Sequence, residues 1–248
     1  VGDGFPVRTF FSYQDTDADL SPFLLMDYAG PIDFVPTHER RGVGPHPHRG
    51  FETVTLVYAG GVSHRDSSGA GGTIGPGDVQ WMTAASGVIH EEYHSADFAR
   101  QGGAFEVIQL WVNLPAQDKM TAPGYQALSS AQIPTLDLPG DAGRARIIAG
   151  HYGDTPGAAR TFTPMNVWDL HLQAGRTLTL DLPAGHTTAL FVLRGSIRMG
   201  EDRVQAAELA VMEREGTQLA FEIIDDAILL LNGQPFNDPI VGQGPFVL

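Results

Sequence analysis

His46 and His48 stand one residue apart in the stretch GPHPHRGFETVTLVYAGG (residues 44–61), directly before a run rich in valine and threonine. In an extended chain side chains alternate between faces, so both imidazoles project from one face while Pro47 points the other way. Two nitrogens can grip one cation, but protein metal sites ordinarily recruit three or four ligands. A second cluster supplies them. In SGVIHEEYHS (86–95), His90, Glu92 and His94 share one face of an extended segment, and Glu91 and Tyr93 take the other. Between the clusters, GTIGPGDVQWMTAASG (72–87) reads as a turn, a strand and a glycine turn, which returns the later strand beside His46 and His48. Three imidazoles and one carboxylate then converge. That set suits a divalent iron, nickel, copper, manganese or zinc ion, and ligand type alone does not choose among them. On a six-coordinate ion it leaves two positions open for water, dioxygen or a chelating substrate.

The elements that must position these groups are short strands. FETVTLVY, VQWMT, FEVIQLWVNL, TLTLDLP, LFVLRGSIRM and AILLLN are β-like runs, punctuated by 30 glycines and 17 prolines. That spacing describes a β-sandwich or barrel, with short helical turns only near DFAR and SSAQIPT. A weak repeat runs through the chain: LVYAGGVSHRD with GPGDVQWM is echoed by FVLRGSIRMGED with AAELAVME, and aligning Gly60 with Gly195 suggests two stacked barrels made by duplication. The expected division is an N-terminal domain over 1–125 and a C-terminal one over 126–248, with a Pro-, Gly- and Ala-rich connector at about 114–146. Six of the nine histidines fall between 38 and 94, so the chemistry belongs to the first copy. The second has no HxH; TLDLPAGHTT leaves His186 alone there.

Composition bounds the function. The 248 residues are 42% hydrophobic, enough for a sizeable core, and contain no cysteine, which excludes disulfides, thiolate ligands and a cysteine nucleophile. A formal charge of −14 opposes attraction to nucleic acid or anionic lipid, and the Arg40, Arg41 and Arg49 cluster reads as a solvated rim. No apolar run is long enough for a membrane span and no secretory signal is evident, so the expected location is the cytoplasm.

The order HPHRGFETVT, GTIGPGDVQWMTAASGVIHEE, QLWVNLP resembles the pirin family, whose members are two-domain cupins. The resemblance implies an all-β bicupin of two antiparallel jelly-roll barrels with a few short helices, a metal site in the first and none in the second. It implies metal ligation by His46, His48, His90 and Glu92. Iron is the first candidate, with nickel, copper, manganese, cobalt and zinc as alternatives. It further implies two functional readings. One is a quercetin 2,3-dioxygenase-type oxidoreductase that opens a flavonol ring with O₂, with Glu92 both ligand and catalytic base, its basicity set by the metal, Glu91 and His94. The other is a metal- and redox-sensing co-regulator that binds a protein partner rather than DNA.

The remaining residues carry plainer expectations. Glu52, which the broader cupin pattern would make a ligand, is read here as structural or as a partner that supports the ligands, with ligation as the alternative. His38, His64 and His94 are read as surface residues, and Trp81, Trp111, Phe51 and Phe105 as core, one or two of them lining the metal pocket. Arg49 is assigned either to orienting a ligand or to a surface ion pair.

Overall fold

The computed structural model describes residues 1–14, 20–236 and 239–247. The chain is all-β with a few short helices, as the punctuated strand runs require, and it divides into two compact units. Unit one comprises Val1–Asp19, Phe23–Ser130 and Asn237–Leu248; unit two comprises Leu20–Pro22 and Ala131–Phe236.

Unit one is built from two antiparallel sheets. The larger has the order β1 (Val7–Ser12), β2 (Phe23–Phe34), β9 (Gly103–Asn113), β4 (Phe51–Ala59), β7 (Val79–Thr83), β10 (Gly124–Leu128). The smaller has the order β3 (Gly42–His48), β8 (Val88–His94), β5 (Val62–Asp66), β6 (Gly71–Ile74). A single helical turn, α1 (Ala96–Gln101), is capped by the Ser95 hydroxyl, which accepts from Phe98 N. On β4 the faces alternate as the pleat demands: Phe51, Thr53, Thr55 and Val57 point one way, Glu52, Val54 and Leu56 the other. The first set faces the small sheet, since Val57 packs with Val62 of β5 and Phe51 lies 5.2 Å from the His48 ring.

Unit two is one eight-stranded antiparallel sheet. Its path runs β11 (Thr135–Asp137), β12 (Gly143–Ala149), β15 (Met165–Leu172), β20 (Gln218–Gly233), β17 (Thr187–Met199), β18 (Asp202–Gln205); β16 (Arg176–Asp181) pairs with β20 and β19 (Glu208–Met212) with β17. A two-residue pair, β13 (His151–Tyr152) and β14 (Thr155–Pro156), stands apart. Gly60 and Gly195, the landmarks of the repeat, both have positive φ, +85° and +75°.

In unit two one cluster joins Leu178 and Leu180, alternating along β16, with Leu182, Trp168, Leu190, Phe221 and Leu230. Unit one has separate apolar clusters: Phe5, Val57, Val62, Phe98 and Phe105; Leu24, Phe51 and Val247; Met82, Ala84 and Val88. Between them lie buried polar side chains.

The C-terminal segment returns to unit one as β21 (Gly242–Gln243) and β22 (Phe246–Val247). Arg49 N donates to Pro245 O at 3.3 Å, and Val247 N donates to Arg49 O at 2.9 Å. Glycine is required at position 50, where φ is +86° and a Cβ would stand 1.6 Å from Val247 O. Gly50→Ala is therefore expected to destabilise the fold by about 3 kcal/mol, through strain and displacement of this segment. Urea denaturation measures it; a loss below about 0.5 kcal/mol would mean that the segment is not held there.

Candidate metal centre

Strand register brings the two histidine clusters together. On β3 and β8, His46 pairs with His90 and His48 with Val88, and an irregularity between Val43 and His46 shifts the register locally. Directly opposed residues share a face, so the imidazoles of His46, His48 and His90 meet in the sandwich interior. Their ring centroids lie 4.2 to 4.8 Å apart, and one ligand atom from each falls within 4.8 Å of the others. His46 is half-buried and forms the solvent-facing edge; His48 and His90 are 5% and 2% exposed.

Their electrostatics favour neutral rings with a nitrogen to give. Burial, reinforced by His46, pushes the His48 pKa down to about 3, with the Pro245 carbonyl acting in the other direction. Burial lowers His90 as well, assisted by His48, His46 and His64. Ring nitrogens His48 Nδ1 and His90 Nε2 are buried with no hydrogen-bond partner among the described residues. Such atoms are rare in native interiors, and a bound cation satisfies them. His46 Nδ1 lies 2.8 Å from Gly44 O, which makes it the protonated nitrogen and leaves Nε2 with the lone pair. The donor set, neutral imidazoles with a carboxylate close by, fits a divalent transition metal.

Glu92 is brought to the cluster by a different route. It forms a second group with His64 and His90, again with ligand atoms within 4.8 Å, so the two groups share His90. Its Oε1 accepts from Gln80 Nε2 at 2.8 Å and from Thr55 Oγ1 at 3.4 Å. Burial raises its pKa; nearby His64, the Gln80 bond and His46 oppose that rise. On the facing sheet Thr55, Gln80, Gln109 and Trp111 look onto these residues, and Trp111 sits 5.2 Å from His48 and 4.4 Å from Phe51.

Several sequence expectations need correction. His64, read as a surface residue, is 4% exposed and lies inside the cluster, because β5 pairs with β8 so that His64 opposes Glu92 and Asp66 opposes His90. The inward alternation Val62, His64, Asp66 in VSHRD was the signal that sequence reasoning passed over. His94 is also buried, in a cage of Phe5, Phe34, Phe98 and Phe105 with Nε2 2.7 Å from Gly4 O. Glu91 faces away, as its parity requires, and accepts from Arg65 at 2.8 Å and Arg40 at 3.4 Å over a cleft of about 580 Å³ on the outer side of β5 and β8. What acts on the Glu92 pKa is instead its own burial, which raises it, and His64, Gln80, His46 and Thr55, which oppose that rise. His38 is exposed, as expected. Trp81, Phe51 and Phe105 are fully buried, whereas Trp111 is half-buried beside His48. Arg49 rests its guanidinium on Met120 Sδ at 3.1 Å. In unit two His186 is half-buried, with Nδ1 3.2 Å from Asn232 Oδ1.

Glu52 lies on the far face of β4, opposite Thr83, whose hydroxyl donates to it at 2.7 Å. Burial pushes its pKa from 4.5 up to about 7, against the Thr83 bond. Because the folded value is the higher, the neutral carboxyl contributes stability that is complete below about pH 4.5 and is lost as pH rises to about 7. Glu52→Gln removes that loss. Relative to the parent, the metal-free variant should gain on the order of 3 kcal/mol between pH 4.5 and pH 8. Thermal unfolding in chelator across that range tests it, and a pH-independent difference would contradict the assignment.

Comparison with known proteins places this geometry in a family. The Pirin profile matches residues 4–112, and that of the Pirin C-terminal cupin domain matches residues 167–248. The chain is 57% identical over 249 residues to "Putative quercetin 2,3-dioxygenase PA2418" of Pseudomonas aeruginosa, covering all of this chain and 87% of that protein. The crystal structure of quercetin 2,3-dioxygenase from Acinetobacter baumannii is similar with a TM-score of 0.96 and 53% identity, over 100% of this chain and 87% of that one. The bacterial pirin YhhW of Escherichia coli, solved in complex with nickel(II), shares the fold at a TM-score of 0.70 and 18% identity, over 92% of this chain and 91% of that one.

Proposed function

The chain belongs to the pirin family, with the two cupin domains of that family, and we propose that it is a metal-dependent dioxygenase of the quercetin 2,3-dioxygenase type. Its substrate is a flavonol or a similar planar hydroxylated aromatic, whose central ring is opened with O₂ and release of carbon monoxide. The single observation that carries the reading is the meeting of three imidazoles, two of which, His48 and His90, are buried with a ring nitrogen that has no partner among the described residues. The names of the 57% and 53% identical relatives support the reaction class.

In this reading His46, His48, His90 and Glu92 hold one divalent ion, iron first. Nickel is the second to test, since it is bound by the E. coli pirin of the same fold. Such an ion, held by these four residues, would supply Lewis acidity and redox capacity. Zinc would occupy the site without that capacity.

The protein's own groups do the rest. Glu92, buried and within reach of the cluster, takes the proton of the 3-hydroxyl. Gln80 and Thr55 hold its Oε1 and so fix the direction from which it acts. Trp111 and Phe51, beside His48, offer an aromatic wall for a planar substrate. The half-exposed His46 edge is where substrate enters.

Protein purified without added metal, analysed for bound ions and then loaded separately with iron(II) and nickel(II), should consume quercetin in air and evolve carbon monoxide. His46→Ala should lose both bound metal and turnover. Glu92→Gln should lower kcat by about 100-fold or more. Absence of flavonol loss with every redox-active metal tried would reject the dioxygenase assignment.

A further inference from the structure

His64 has no part in the ligand set proposed above, yet its bonding determines more than its own orientation. Asp66 Oδ1 takes three donors: Ser68 N at 2.8 Å, Ser68 Oγ at 2.6 Å and Ala70 N at 3.2 Å. The other oxygen, Oδ2, faces His64 Nε2 at 3.1 Å, with the two side chains 0% and 2% exposed. A carboxylate oxygen only accepts, so His64 carries its proton on Nε2 and offers a lone pair at Nδ1.

Two neighbours converge on that lone pair, His90 Nδ1 at 3.3 Å and Gln80 Nε2 at 3.4 Å. The orientation of Gln80 is fixed independently. Its Oε1 accepts from the Tyr125 hydroxyl at 3.2 Å, and its Nε2 donates to Glu92 at 2.8 Å, so the amide presents donors on this side. Tyr125 also stacks on the His64 ring, with centroids 4.9 Å apart and planes 12° apart, which holds the ring plane.

We propose that Asp66 and His64 are positioning residues that set the tautomer of His90. Asp66 keeps the His64 proton on Nε2, His64 Nδ1 accepts the His90 Nδ1–H, and the lone pair of His90 is thereby placed on Nε2. That nitrogen is one of the unpartnered ones at the centre. The opposite arrangement sets a His64 lone pair against the Asp66 carboxylate and puts a proton on the His90 nitrogen that must ligate. His46 achieves the same end with a backbone carbonyl, that of Gly44. Partners of this kind orient ligating histidines and raise their basicity, and losing one typically weakens metal binding ten- to a hundredfold. The inference rests on the metal centre of the preceding subsection but not on the reaction assigned to it.

Long-range ¹H–¹⁵N spectra of metal-free, histidine-labelled protein read the tautomers without any catalysis. The wild type should show His90 protonated at Nδ1 and His64 at Nε2. Asp66→Asn places a donor of equal size against His64 Nε2, so the His64 proton should move to Nδ1 and that of His90 to Nε2. Zinc affinity, measured by competition with a chelator, should fall ten- to a hundredfold with one ion still bound per chain. His64→Gln, whose amide can accept from His90 and donate to Asp66, should keep most of the affinity, whereas His64→Leu should lose it. A wild-type His90 protonated at Nε2, a His64 imidazolium, or an Asp66→Asn variant with lowered Tm but unchanged zinc affinity would overturn the proposal. If Asp66→Asn does not fold, the wild-type spectrum decides alone. Failure of the wild type to bind zinc or nickel would overturn the metal centre itself, and this inference with it.

Discussion

Placing ring nitrogens inside a protein without partners is the constraint from which the rest of unit one follows. A buried polar atom with no hydrogen bond costs on the order of 1–3 kcal/mol, and His48 and His90 each leave one such atom. Around them stand Glu92, His64, Gln80 and Thr55, all buried, in the region where a sandwich of this size would ordinarily place aliphatic side chains. Apolar clusters flank this polar interior. Unit two carries no such demand. Its β16 turns Leu178 and Leu180 into an apolar cluster, and among the described residues no group of three or more potential ligands forms there.

Covalently distant segments hold the walls of this polar interior. The segment around β22 lays Val247 against Leu24 and Phe51, the residue that packs on His48. Its backbone exchanges bonds with Arg49, immediately after His48. Lys119 ties the same place, donating to Gly50 O at 2.8 Å and Asn113 Oδ1 at 2.7 Å. The histidine strand is thus fixed by backbone geometry and not by the imidazoles, which stay free to bind.

Much of this was legible in the sequence, for reasons that also mark its limit. HxH and HxE disclose their shared faces because strand periodicity is a local property, and the glycine turns between them show that the chain returns. The runs FETVTLVY and VQWMT fall within β4 and β7 for the same reason. Burial of His64 and His94 is a property of pairing. No local pattern states that β5 lies beside β8, or that four phenylalanines drawn from residues 5, 34, 98 and 105 close around one imidazole. The recruitment of residues 242–247 to unit one is equally non-local, visible only when the ends of the chain are seen in space.

Register also explains why the carboxylate of this interior comes from β8 and not from β4. Glu52 follows His48 by four residues, the spacing at which the wider cupin pattern finds a ligand. In β4, however, Phe51 and Thr55 point toward the imidazoles, and the pleat sends Glu52 to the other face, beside Thr83. A slip of one residue would exchange those faces, turning Glu52 inward and taking Phe51 and Thr55 out. It would remove the aromatic contact on His48 and the hydroxyl that holds Glu92 Oε1. The wall that supports the imidazoles and the absence of Glu52 from among them are therefore two results of a single alignment between β4, β7 and β9. With that position closed, Glu92, two residues from His90 on the same inward face, brings a carboxylate within reach of His90 and His64.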